Sequence, residues 1–278
     1  MKAISLFLSL LILFGCSHTS PSKRLALAEQ LASQNDWQKT ILKTSSFELS
    51  SFLPKKTVMS KTLTVYIEGD GFAWRTSRRP SADPTPHNPV ALKLALKHQN
   101  TAVAYLARPC QYQNNSENSQ LCEQSYWTNK RYSEEVINAS EQALTQLKDK
   151  YRAEKIILVG YSGGAAVAAL LASRREDVAK LITVAGNLDH QAWTEFHKVS
   201  PLTGSLNPID YRQQLQSIPQ VHFVGEDDKN IPAKLSQDFI ANYDSKKFAK
   251  VIVVDGQSHS CCWQEIWPQL ISDNNIFK

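Results

Sequence analysis

The stretch KIILVGYSGGAAVAALLAS, residues 155–173, begins as a short apolar run, turns through three glycines around one serine, and continues in alanines and leucines. A β-branched apolar run followed by small residues reads as a buried strand feeding a helix that packs closely on its sheet. Gly160-Tyr161-Ser162-Gly163-Gly164 matches GxSxG and has the context that the motif requires, a strand before it and a helix after it. The glycines permit a strained turn that lifts the Ser162 hydroxyl clear of the backbone, while Ala165 and Ala166 allow close packing. Ser162 then stands at a helix N-terminus, where N–H groups and the helix dipole favour developing negative charge.

Outward from this turn the chain alternates strand and helix. Strands are expected at 47–53, 62–68, 101–107, 155–159, 180–185, 220–225 and 250–256. Helical spacing occupies SKRLALAEQLAS at 22–33, NPVALKLALKHQ after 87, YSEEVINASEQALTQLKDK after 131 and IPAKLSQDFIANY after 230. The inner strands are apolar on both faces, so the fold class is α/β, a mainly parallel sheet covered by helices. Eight of the ten glycines, Gly69, Gly71, Gly160, Gly163, Gly164, Gly186, Gly225 and Gly256, fall at or just after the C-terminal end of an expected strand. In open α/β sheets that edge is where ligands bind. Two irregular stretches, near 108–132 and 187–208, read as cap-like insertions over it, and no linker divides the body.

A serine hydroxyl needs a base to attack at neutral pH, and the base needs an orienting carboxylate. In this sheet type the chain order is serine, acid, histidine. Of the histidines after Ser162, only His259 follows the last strand. His222 lies inside a strand and reads as a core residue; His190 and His197 fall in the cap. VHFVGEDDKNIP ends a strand and offers Glu226, Asp227 and Asp228. The spacing of Gly225, Asp228 and Ile231-Pro232 resembles the GxxDxxVP segment of the α/β-hydrolase family, in which the aspartate orients the histidine. That resemblance covers roughly residues 62–270 and implies Asp228 as the acid, with Asp227 and, more distantly, Asp189 as alternatives. It also implies an oxyanion donor in the loop after an earlier strand, often written HG in the family. Here the loop is Glu68-Gly69-Asp70-Gly71, with glutamate in the place of histidine. Alignment on Gly69 gives the N–H groups of Asp70 and Gly163 as the oxyanion hole, with Gly71 competing for the first position.

The formal charge of +5 comes from lysines and arginines scattered along the chain, without the basic run that tracks a phosphate backbone. Nucleic acid is therefore not an expected partner. One local cluster, Arg75, Arg78 and Arg79, is either a solvated loop or a hold for an anionic group.

MKAISLFLSLLILFGC has the charge, short apolar stretch and small residue of an export signal. Leu13-Phe14-Gly15-Cys16 resembles the lipobox of bacterial lipoproteins. The resemblance implies cleavage after residue 15, acylation of Cys16 and, with Ser17 next, the outer membrane of a Gram-negative cell. Residues 16–45 are then a lipidated lead and helix, and 46–278 the hydrolase body. Beyond Cys16 the cysteines are Cys110, Cys122, Cys261 and Cys262, which allow three pairings in an exported chain. Cys110 with Cys122 would close a short loop and leave Cys261 and Cys262 to bridge vicinally or stay reduced. No CxxC spacing supports zinc.

The resemblance implies a membrane-anchored serine hydrolase that needs no metal or organic cofactor and acts on a small-molecule or lipid ester. Carboxylesterase or lipase chemistry is expected, with thioesterase or peptidase chemistry on the same triad as alternatives. Phe72, Trp74, Trp127, Trp193 and Trp263 are candidates for an acyl pocket or for packing the cap on the sheet. The competing reading is a non-catalytic envelope lipoprotein that uses the scaffold for binding.

Overall fold

The computed structural model describes residues 20–98, 102–113, 122–241, 243–244 and 247–277; the stretch expected to be an export signal and Cys16 lie outside them. Strands β1 (Trp37–Lys43), β2 (Glu48–Pro54), β3 (Thr62–Ile67), β6 (Ala102–Leu106), β7 (Lys155–Tyr161), β8 (Val178–Val184), β9 (Gln220–Gly225) and β10 (Ala249–Val254) form one sheet. Its order is β1-β2-β6-β3-β7-β8-β9-β10. From β6 to β10 all neighbours run parallel, while β2 pairs antiparallel with β6 and β1 antiparallel with β2. A short hairpin, β4 (Trp74–Thr76) and β5 (Arg79–Pro80), stands apart from it.

The parallel strands are buried along almost their whole length, so they read as continuous apolar runs and need helices on both faces. On one face, α3 (Glu134–Tyr151), α4 (Gly163–Ala172) and Phe239 of α7 (Ala233–Ala241) close one core. On the other, α1 (Pro21–Ser33), α2 (Val90–Lys97) and α8 (Trp263–Asp273) close a second. All ten residues of α4 are buried. A helix apolar all round belongs in such an interior. Two shorter helices, α5 (His190–His197) and α6 (Arg212–Leu215), lie in the connection from β8 to β9. Asp189 caps α5 by accepting the Gln191 and Ala192 N–H groups, which accounts for a carboxylate at that position without any catalytic role.

The expected strands and long helices all form, within a few residues of their expected ends. β1, the β4–β5 hairpin and α8 were not expected. β1 carries a polar face at the sheet edge, with Gln38, Lys39 and Thr40 exposed or half-buried. Pro268 inside α8 breaks the usual helical pattern, yet buried Trp263 and Trp267 seat the helix, and Trp267 donates to the Tyr66 hydroxyl at 3.0 Å. Disulfides join Cys110 to Cys122 and Cys261 to Cys262, the latter across a cis peptide bond. Among the described residues no helix is long and apolar enough to cross a membrane, and no cluster of metal-ligating side chains occurs.

Candidate active site

β7 ends at Tyr161 and α4 begins at Gly163, so Ser162 is the whole turn between them. Its backbone sits at φ 50°, ψ −120°, a conformation that costs a non-glycine residue on the order of 1–3 kcal/mol and persists only where its surroundings enforce it. Two of those surroundings are glycines. A Cβ at Gly160 would lie 2.4 Å from the Ala165 Cα, and one at Gly163 would lie 2.0 Å from Asp70 Oδ1. The strand, the helix and the loop after β3 therefore meet at van der Waals distance around the serine.

The Ser162 Oγ lies 3.0 Å from His259 Nε2. His259 Nδ1 lies 2.8 Å from Asp228 Oδ2, whose side chain is fully buried. Asp228 Oδ1 accepts the N–H groups of Asn230 and Ile231, each at 2.8 Å, so the carboxylate is fixed by backbone on one side and meets imidazole on the other. Neither Asp227 nor Asp189 reaches the histidine: Asp227 is exposed in the same turn, and Asp189 is spent on α5. His259 is held through its carbonyl, which accepts from the Tyr161 hydroxyl at 3.0 Å and from Trp263 Nε1 at 3.2 Å.

The loop after β3 abuts this turn, with the Cβ position of Gly69 only 3.3 Å from the Ser162 Cβ. Among the described residues no acceptor pairs with the N–H of Asp70 or of Gly163. Glu68, in the place of the family's histidine, is buried; its carboxylate accepts from the Gly69 N–H at 2.9 Å and the Ala91 N–H at 3.3 Å, and the Tyr105 hydroxyl donates to it at 3.1 Å. It thus ties the loop to the N-terminus of α2, and burial pushes its pKa up to about 7 against those hydrogen bonds.

Asp70 shows the opposite balance. Burial alone would raise its pKa, but Arg131 and Arg108 outweigh that and hold it below the usual carboxylate value. Arg131 Nη1 lies 2.6 Å from Oδ2, Arg108 Nη1 lies 3.2 Å from Oδ1, and the Tyr132 hydroxyl lies 3.2 Å from Oδ2. Arg108, Arg131 and Tyr132 were not among the residues singled out from the sequence. The available signal was position: Arg108 comes two residues after β6, at the same sheet edge as the glycines, and Arg131 closes the irregular stretch after it.

Ser162 and His259 open into a cleft of about 420 Å³, walled by Phe72, Trp74, Arg131, Trp193 and Asn230. Three of the five candidate aromatics therefore reach it. Trp127 and Trp263 do not: both are buried in the body, where their indole N–H groups bind the Ser81 carbonyl and the carbonyls of Ser258 and His259. His222 is buried against Thr183, and burial drives its pKa down to about 3, which suits a neutral core residue.

A parallel sheet between two helical layers, with a strained serine turn and loop-borne partners at one edge, defines an α/β-hydrolase. Solved structures share this architecture at low sequence identity. The Pyrococcus furiosus esterase Pf2001 matches with a TM-score of 0.61 at 14% identity, covering 94% of this chain and 93% of its own. An alpha-beta serine hydrolase homologue from Coxiella burnetii matches at 0.56 and 15%, covering 84% and 94%. Est1E from Butyrivibrio proteoclasticus matches at 0.55 and 13%, covering 86% and 97%. No curated protein matches the sequence. The family model for serine hydrolase (FSH1) matches residues 90–260, and the chain belongs to that family of serine hydrolases.

Proposed function

We propose that the protein is an esterase that works through an acyl-enzyme, anchored to its membrane by lipidated Cys16. Ser162 attacks the ester carbonyl while His259 takes its proton; the imidazolium then protonates the departing alcohol. Water, deprotonated by the same histidine, releases the acid and restores the serine. Asp228 holds the imidazole tautomer and stabilises its cation, and the N–H groups of Asp70 and Gly163 receive the oxyanion. The observation that carries this reading is the continuous relay of 3.0 and 2.8 Å from Ser162 through His259 to Asp228.

The test is covalent capture by a fluorophosphonate on the soluble body, with hydrolysis of short-chain p-nitrophenyl esters beside it. Wild type labels and turns over; Ser162→Ala does neither and keeps its melting temperature, and His259→Ala loses at least about 10³-fold in rate. A folded wild type that takes no label favours a binding protein on the same scaffold.

The lipobox-like Leu13-Phe14-Gly15-Cys16 supports outer-membrane attachment with the body in the periplasm. Helix α1 starts at Pro21, and the few residues before it reach roughly 15–20 Å when extended, so the body would lie against the membrane. Cells fed a labelled fatty acid tag the wild-type protein; a Cys16→Ser protein that still takes up label overturns the anchor.

A further inference from the structure

Beneath the nucleophile two guanidinium groups share one carboxylate. The side chains of Arg108 and Arg131 are 5% and 6% exposed, and both pair with Asp70. Their remaining bonds go to neutral carbonyls: Arg131 Nε to Thr128 at 2.6 Å, and Arg108 Nη2 to Arg131. Arg108 Nε is buried with no partner among the described residues. With Asp70 ionised the set carries one positive charge that no carboxylate among the described residues pairs with. Glu68 is turned to the N–H groups of Gly69 and Ala91, and Asp228 is committed to His259 and its own turn. A buried charge without a counter-ion is expensive, and of the two arginines Arg131 lines the cleft, together with Asp70 and Glu68.

A second observation lies at the cleft mouth. The β4–β5 hairpin starts with Trp74, which lines the cleft, and carries Arg75, Arg78 and Arg79, all exposed. Among the described residues none of the three pairs with a carboxylate, and the hairpin sequence WRTSRRP contains no acid. Three unneutralised charges beside an opening draw anions towards it.

Building on the esterase reading, we propose that the substrate is an ester with a negative charge of its own, drawn in past Arg75, Arg78 and Arg79 and countered inside the cleft by Arg131. The anion supplies the charge that the Arg108–Arg131–Asp70 set lacks. Trp74 and Phe72 offer apolar surface to the chain between that charge and the scissile bond.

Matched chromogenic esters test this. One pair puts a carboxylate on the acid part, p-nitrophenyl hydrogen glutarate against p-nitrophenyl pentanoate. The other puts it on the alcohol part, the butyrate of 5-hydroxy-2-nitrobenzoic acid against p-nitrophenyl butyrate. At low ionic strength the charged member of one pair is hydrolysed with a kcat/KM about tenfold higher than its neutral partner, chiefly through KM, and the preference shrinks in about 0.5 M NaCl. The ratio falls towards one in R75Q/R78Q/R79Q and in Arg131→Gln; being a ratio, it is unaffected by any general loss of active enzyme. Turnover of the neutral esters with no charged preference in either pair overturns the proposal and leaves the esterase reading standing, as does a preference that survives both variants. No turnover of any ester and no fluorophosphonate capture removes the esterase reading and this proposal with it.

Discussion

At the scale of single residues, Glu68 is the position where this chain departs from the family's loop, and its chemistry there is testable. Buried, it titrates near 7 in the native state against an ordinary value of 4.5. Between those values the native protein holds a proton that the unfolded chain releases. Stability from this group is therefore complete below pH 4.5 and declines as pH rises to 7, by on the order of 3 kcal/mol. Melting temperatures recorded across that range fall with pH in wild type, and Glu68→Gln flattens this part of the curve. A histidine in the same place would reverse the sign, because its burial disfavours the protonated form. Ser162 was legible from its local GxSxG turn between strand and helix; His259 was legible only from its place after the last strand, and Asp228 only through the family resemblance, with Asp227 and Asp189 left beside it. Arg108 and Arg131 were not, because their meaning depends on Asp70, a residue 38 and 61 positions away in the chain.

At the scale of elements, the contact between β7 and α4 governs the serine turn. Gly160 lets the α4 backbone approach to within a distance that no side chain tolerates: an added Cβ would meet the Ala165 Cα at 2.4 Å and the Gly164 carbonyl oxygen at 2.5 Å. Gly160→Ala is expected to cost about 2–3 kcal/mol by overpacking and to cut turnover further than stability, because the shift falls on Ser162. A denaturation midpoint that drops with an unchanged slope, together with a lowered kcat, checks both parts. Parallel strands were easy to read, being apolar throughout; β1 and α8 were hidden for opposite reasons. An edge strand needs only one apolar face, and β1 shows polar residues in sequence. Helix α8 contains a proline, which ordinarily marks a helix boundary.

At the scale of the whole molecule, the disulfide between Cys110 and Cys122 closes a loop of 12 residues' separation beside the Arg108–Asp70 contact. The chain-entropy relation gives about 3 kcal/mol for such a loop. A Cys110→Ser, Cys122→Ser protein melts correspondingly lower, and thermal unfolding with and without reductant measures it. The architecture was legible as a whole because strand and helix alternate along the chain. The cleft wall was less so: Trp127 and Trp263 fall in loop-like sequence yet serve as internal props, and only the packed structure separates them from Phe72, Trp74 and Trp193.

The base hangs from the rim of the sheet. Among the described residues β10 pairs only with β9 and stays half-exposed along its length, whereas the nucleophile grows from the central β7. Fraying is easiest at such a margin. Loss of that last rung would loosen the turn that carries His259, leaving the carbonyl's bonds to Tyr161 and Trp263 to hold it, while Ser162 kept its place in an intact interior. Under mild denaturant, catalysis is thus the first property to disappear, well before the buried tryptophans meet water, and the earliest damaged molecules would be silent rather than unfolded.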